Sequence, residues 1–253
     1  MRPIERGQVP INADGTPKIV AVYRNWRKDL IDRLGNYCSF CEMKLNDSPQ
    51  VEHVVAQNID PALALEWTNL LLACSPCNRA KSDNPCPPQT HYLPTTHNTF
   101  LPFLFSITTN PRQSNEAASF VVVNTNLQAN QQLKAQNTLI LCQLDTDFTA
   151  IGSEQRVTDL RWRYRLEAIE TAKMWRQEWD SWAYQTPTTQ FIGLLITAAK
   201  GHGFWSAWFK VFEDVQAIRE ALVTEFVGTA TTCFDNNTYA PIPRNPTNAN
   251  DTI

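Results

Sequence analysis

Two Cys-x-x-Cys pairs, Cys38-Ser-Phe-Cys41 and Cys74-Ser-Pro-Cys77, constrain this chain more than any other feature. Each pair bends its backbone tightly enough for both sulfurs to face one ion, and four thiolates are the usual ligand set of a tetrahedral structural zinc. The chain has 7 cysteines, an odd number, and it opens on Met-Arg-Pro-Ile-Glu-Arg-Gly without a hydrophobic leader. A secreted disulfide framework is therefore a poor reading. A thioredoxin-like redox pair is weaker still, because neither motif has the flanks of a strand-to-helix unit. The bland alternative is two unrelated turns carrying buried thiols. Residues 42–73, between the pairs, exceed the insert of a simple zinc ribbon and should form structure of their own.

Composition narrows the function classes. With 253 residues the prior is one or two domains. Hydrophobic residues make up 43% and charged residues 19%, which rules out wholesale disorder. No apolar run approaches the roughly 20 residues of a membrane helix, so a cytoplasmic, membrane-free protein is expected. A net charge of -3 argues against coating nucleic acid by charge alone, although it permits a local nucleic-acid site.

Periodicity predicts a helix over Lys18–Leu34, ended by Gly35, and then the cysteine knuckle. Val51–Val55 reads as a strand in a hairpin with Cys38 and Cys41 on its first side. Asp60-Pro61 starts a short helix to about Glu66, and Ser75–Ser82 forms another. Residues 83–118 read as an irregular crossing segment in which Phe100–Ile107 docks on the core. Ser119–Asn124 is a clear strand. Helices follow at Gln131–Leu144, Glu154–Tyr184, Thr188–Lys200, Phe204–Phe212 and Val215–Phe226. The organisation expected is an arm and helix (1–35), a metal module (36–90), a mainly helical part (91–236) and a flexible tail (237–253).

Between and beside the cysteine pairs lie Val51-Glu52-His53-Val54-Val55 and Trp67-Thr68-Asn69-Leu70-Leu71-Leu72-Ala73-Cys74-Ser75-Pro76-Cys77-Asn78-Arg79-Ala80-Lys81. They order a carboxylate, an imidazole, a loop Asn and a helix-opening Asn around one zinc. From about Tyr37 to Ser82 this order resembles the HNH nuclease family. The resemblance implies an α+β fold, with a ββα-metal module carrying a structural zinc inside a mostly helical chain. It implies that His53 is the general base, that Glu52 and Asn78 hold a catalytic divalent ion, and that Asn69 ties the loop together. Cys38, Cys41, Cys74 and Cys77 would hold Zn²⁺. Glu52 stands where Asp or His is common, and Asn78 where His is common. Such hard oxygen donors suit Mg²⁺ or Mn²⁺ at the catalytic site.

Arg79 and Lys81, on the same predicted helix, are candidates to meet flanking phosphates, with two solvated charges as the alternative. His91 and His97 are candidates to complete the metal shell, with ordinary loop histidines as the commoner case. His202, between Gly201 and Gly203, reads as part of a turn. Cys86 is not needed by a tetrahedral zinc. The cluster Arg156, Arg161, Arg163 and Arg165 alternates with Glu154, Asp159, Glu167 and Glu170, which reads as an ion-paired helix face or a protein interface.

A wider resemblance rests on Met1–Gly7, Tyr37-Cys38-Ser39-Phe40-Cys41-Glu42, Asn69–Cys74, Asn98-Thr99-Phe100 and Thr158-Asp159-Leu160-Arg161. It continues through Gly203-Phe204-Trp205-Ser206-Ala207-Trp208 and the stretch from Gly228-Thr229-Ala230 to Cys233-Phe234-Asp235. These segments are similar to the HNH effector subunits of Septu-type and retron-associated anti-phage defence systems. That likeness implies a bacterial endonuclease acting on DNA, or alternatively RNA, beside an ABC-type ATPase partner. Phe204, Trp205, Trp208 and Phe209 would then be either core or a docking surface for the ATPase. The competing reading is a non-catalytic, zinc-stapled adaptor.

Overall fold

The run Leu70-Leu71-Leu72-Ala73 is apolar at every position, which a strand tolerates only when both its faces are covered. The computed structural model describes residues 1–47, 49–109, 117–144, 159–181, 189–248 and 251–253. In it this run is fully buried. It forms β2 (Leu70–Ala73), antiparallel to β1 (Gln50–His53), in register from Gln50↔Ala73 to His53↔Leu70. The expected hairpin between the cysteine knuckle and Val51 is thus replaced by a β1–β2 ribbon. The knuckle closes on itself through the Tyr37↔Lys44 bridge and Cys38 N–H to Met43 O at 2.9 Å. One bond, Ser39 N–H to Leu72 O at 2.8 Å, ties it to the sheet. The polar turn residues 46–49 separate the two, so the apolar run further along the chain is the better partner for Val51.

The first helix is shorter than its pattern. A 3-10 turn, Tyr23–Trp26, leads into α1 (Arg27–Leu34), and Ile19 and Val22 are exposed. Gly35 caps α1 at φ +76°. Asp60 accepts a bond from Ala62 N–H and starts a single 3-10 turn, Pro61–Leu63. α2 (Ser75–Lys81) is capped by the sulfur of Cys74.

A second ribbon follows, β3 (Phe103–Thr109) against β4 (Ala117–Val123), and then α3 (Ala129–Cys142). The crossing segment therefore contains a strand, because β4 offers Phe103–Thr109 a hydrogen-bonding partner that no local pattern reveals. α4 (Arg161–Ser181), α5 (Thr189–His202), α6 (Trp205–Val211) and α7 (Gln216–Glu225) complete the described helices. Glu154, Arg156 and Trp182 lie outside the described residues. On α4 the buried side is Arg161, Arg165, Ala168, Ile169 and Ala172, whereas Tyr164 and Met174 of the expected stripe are exposed. Small alanines let α6 approach closely.

Trp205, Trp208 and Phe209 are fully enclosed with Leu195, Ile218, Leu222 and Phe234, and Phe204 with Ala168, Ile169 and Ala207. They are core and not a docking surface. This helical core joins the cysteine knuckle at Gly203 (φ +76°), where Phe204 N–H bonds Glu42 O at 2.9 Å. A side chain on Gly203 would collide with the knuckle backbone at Glu42 and Lys44. The last described residues, expected as a loose tail, are anchored: Asp251 pairs with Lys134 at 2.6 Å, and Ile253 is buried. The buried ammonium of Lys134 supplies what the tail's composition could not reveal. Among the described residues no helix is long and apolar enough to cross a membrane.

Candidate metal centre and active site

The two cysteine pairs meet. The Sγ atoms of Cys38, Cys41, Cys74 and Cys77 all lie within 4.8 Å of one another, and all four residues are buried. In each pair the N–H of the second cysteine points at the sulfur of the first at 3.5 Å. These turns direct four sulfurs to one point, and the set is that of a tetrahedral zinc. The donor chemistry fits, so Cys38, Cys41, Cys74 and Cys77 are positioned for zinc binding. Zn²⁺ would supply folding energy there.

Arg161 reaches this cluster from α4. Its Nη1 donates to Cys77 Sγ at 3.1 Å and to Cys142 O at 2.9 Å, and its Nη2 pairs with Asp159 at 2.7 Å. Arg165, one turn on, is enclosed too and donates to Ser119 O at 3.0 Å. The arginine cluster is therefore only partly the ion-paired surface face expected: Arg163 pairs with Glu167 at 3.2 Å in the open, while Arg161 and Arg165 point inward. With Zn²⁺ bound, four thiolates would carry more negative charge than the ion neutralises, and the Arg161 guanidinium beside Cys77 would offset part of it.

At the other end of α2 lie the polar residues of β1. Alternation sends Gln50 and Glu52 to the α2 side of the strand. Asn78 Nδ2 donates to Gln50 Oε1 at 2.6 Å, and Lys81, one helical turn later, sits 3.1 Å from Glu52 Oε1. The expected neighbours Glu52 and Asn78 thus share a face, but each has another immediate partner. Lys81 is fully buried, so it is not a surface phosphate contact, and its ammonium has no aligned hydrogen-bond acceptor despite the short distance to Glu52. Burial pushes the Glu52 carboxyl up to about 7, with the Lys81 ammonium pulling the other way. Arg79 is exposed. The side-chain oxygens of Glu52 and Asn78 are hard donors that fit a divalent cation.

His53 faces the opposite side. Its Nε2 lies 3.0 Å from Ala64 O, and its ring packs on Tyr23 at 4.6 Å between centroids. A carbonyl only accepts, so Nε2 carries the proton and Nδ1 keeps its lone pair. Asn69 bridges the loop: Oδ1 accepts from Val55 N–H at 2.8 Å, and Nδ2 donates to Val55 O at 2.9 Å and Leu63 O at 3.1 Å. These bonds hold the carbonyl of neighbouring Ala64 where His53 meets it.

The other candidates fall elsewhere. His97 is buried against Lys134, its Nε2 2.9 Å from Nζ, and its Nδ1 accepts from Leu93 N–H at 3.0 Å. Burial, with Lys134 adding, holds its imidazole down at about 4. His91 bonds Thr90, and His202 packs near Trp208. Cys86 donates to Val54 O at 3.2 Å. None of them joins the cysteine cluster. Gln50, Tyr23, Ala64 and Arg161 are the neighbours that sequence reasoning missed. Only Gln50 left a signal, its alternation with Glu52.

Residues 38–84 match the family model for the HNH endonuclease, which places an HNH domain at the cysteine cluster and the strands and helix beside it. No curated protein and no solved structure matches the chain.

Proposed function

We propose that this chain is a metal-dependent HNH endonuclease that hydrolyses nucleic-acid phosphodiester bonds, with DNA as the favoured target. The observation that carries the reading is His53, bound by Ala64 O at Nε2 and so left with Nδ1 to accept a proton, on the strand that carries Glu52 on its other side. His53 takes a proton from the attacking water at Nδ1. Asn69 keeps the loop, and with it the Ala64 carbonyl, in place. Glu52 and Asn78 would hold Mg²⁺ or Mn²⁺, which would supply positive charge to the scissile phosphate and the leaving oxygen. The β1 strand sends Glu52 and His53 to opposite sides, so the phosphodiester must lie across the end of the strand to meet both.

A plasmid-nicking assay with EDTA, Mg²⁺ or Mn²⁺ tests this beside His53→Ala. Cleavage that needs the divalent ion and disappears in the variant is the expected result. Cleavage indifferent to both would overturn it. An RNA substrate in the same assay decides between DNA and RNA as target.

The resemblance of segments such as Asn98-Thr99-Phe100 and Gly203–Trp208 to Septu-type and retron-associated effectors supports a finer reading: an anti-phage effector subunit beside an ABC-type ATPase. Co-purification with such an ATPase tests it. One observation favours a second reading, the zinc-stapled adaptor. The buried Lys81 ammonium already offers Glu52 a positive charge. An adaptor would bind no second metal and would keep its partner when His53 is replaced.

A further inference from the structure

We propose that the 3-10 turn Tyr23–Trp26 is the second wall of the active site, with Tyr23 positioning the His53 imidazole and Arg24 binding a backbone phosphate of the substrate strand. The proposal rests on the endonuclease reading and deepens it.

The Ala64 hydrogen bond fixes one end of the His53 ring but leaves it free to tilt about that bond. Tyr23 removes this freedom. Its half-buried ring packs on the imidazole at 4.6 Å and 60° between planes. No hydrogen bond from the Tyr23 hydroxyl accompanies this contact among the described residues, so the ring itself does the positioning. The guanidinium of Arg24 lies 5.4 Å from the centre of the same Tyr23 ring, and the residue is exposed. One short turn therefore carries both a packing surface for the imidazole and a cation at its rim.

The pairing of nearby charges leaves Arg24 among the cations that no carboxylate neutralises. Lys18 is neutralised by Asp29 at 2.6 Å and Lys28 by Asp32 at 2.5 Å. Among the described residues no carboxylate lies within ion-pair distance of Arg24, Arg27 or Arg79. Arg24 stands on the His53 side of β1 through the Tyr23 ring, and Arg79 stands on α2, the Glu52 side. A strand crossing the end of β1 meets cations on both sides. A chain of net charge -3 has no general attraction for nucleic acid, so local cations such as these must hold the phosphates.

The test uses the full chain and a fluorescein-labelled DNA duplex, with anisotropy measured in EDTA over a salt series. Arg24→Ala should weaken binding about two- to fivefold and make the slope of log K against log salt shallower by about 0.9, the loss of one phosphate contact. Lys173→Ala, exposed on α4, should change neither. Tyr23→Ala should lower kcat about tenfold with KM nearly unchanged and shift the NMR signals of the His53 ring. Tyr23→Phe should restore both. An unchanged salt slope in Arg24→Ala, or a wild-type kcat in Tyr23→Ala, overturns the wall while leaving the nuclease standing, provided the wild-type chain binds and cleaves. A wild-type chain that neither binds nor cleaves DNA or RNA overturns the nuclease reading and this one with it.

Discussion

The two ends of α2 hold polar clusters of opposite character. At its start, Cys74 and Cys77 join Cys38 and Cys41 in an enclosed set, and an arginine from a distant helix donates to one of the sulfurs. Toward its end, Asn78 and Lys81 face Gln50 and Glu52, the carboxyl is pushed up to about 7 by burial, and Lys81 keeps no aligned acceptor. The first arrangement is saturated and suits a metal that never leaves. The second retains unspent donor capacity, as a site must if it is to exchange ligands. The same seven-residue helix thus carries an enclosed sulfur cluster at one end and, in the proposed reading, the catalytic metal ligands at the other.

Breaking the saturated end should have the largest effect. Cys74→Ser removes one of the four sulfurs while leaving a hydroxyl able to cap α2, and should leave the module unfolded, with the zinc content of the purified protein near zero. Chelating the zinc from the wild-type chain should produce the same loss of circular dichroism. His53→Ala breaks only the open end: cleavage should fall by roughly 10²–10⁴ while the melting temperature holds. Equal losses of fold in both variants would erase the distinction between the ends. Arg161→Met sharpens it from outside the module. It strips the partner of Cys77, Cys142 O and Asp159 and should cost about 3–5 kcal/mol in urea unfolding, with faster zinc release to a chromogenic chelator.

Asn69→Ala should cost less, about 1–3 kcal/mol, since it leaves the Val55 and Leu63 backbone groups unpaired, and should lower cleavage alongside. The smallest effect concerns a third polar cluster, closed without any metal: His97, Lys134 and Asp251. His97 is held down at about 4 against an ordinary value of 6.5, so the folded state binds fewer protons than the unfolded one. Its contribution is fully present above pH 6.5 and is lost as the pH falls toward about 4. Asp251 acts in the same sense at the acid end of that range: burial would raise its carboxyl, but the Lys134 contacts prevail and hold it low. Hydrogen-exchange protection factors at residues 134–138, corrected for the intrinsic pH dependence, should therefore fall between pH 6.5 and 4. No change there would remove His97 from the lock.

What the sequence made legible was local. Cysteine spacing located the four-sulfur cluster, the Gly35 stop and the Asp60-Pro61 start were read correctly, and the apolar runs marked most helices to within a few residues. What stayed hidden came from distant parts of the chain. Nothing near Val51 says that its partner is Leu72, and nothing near Arg161 says that it bonds a sulfur 84 positions earlier. Lys81 read as a phosphate contact or a solvated charge, both exposed, because its burial depends on how β1 and α2 pack. The Tyr23–His53 contact was invisible for the same reason: thirty residues of chain fold back before the rings touch.

The wiring of Arg2 has a consequence for the order in which the protein is made. Arg2 donates to Leu34 O at 2.6 Å and also to Val227 O at 2.9 Å, while Ala230 N–H bonds Pro3 O at 3.0 Å. Beside them Gly228, at φ +76°, passes so close to Arg33 and Leu34 that a side chain would collide. A ribosome releases Arg2 225 positions before its partner Val227. Until Val227 has emerged the end of α1 therefore lacks half of its clasp, although the cysteines of the HNH domain are already out. Contacts of such sequence separation form late. A shortened chain ending before Val227 would present the HNH domain on an unclasped scaffold, so the residues around Val227 are built into the domain's assembly.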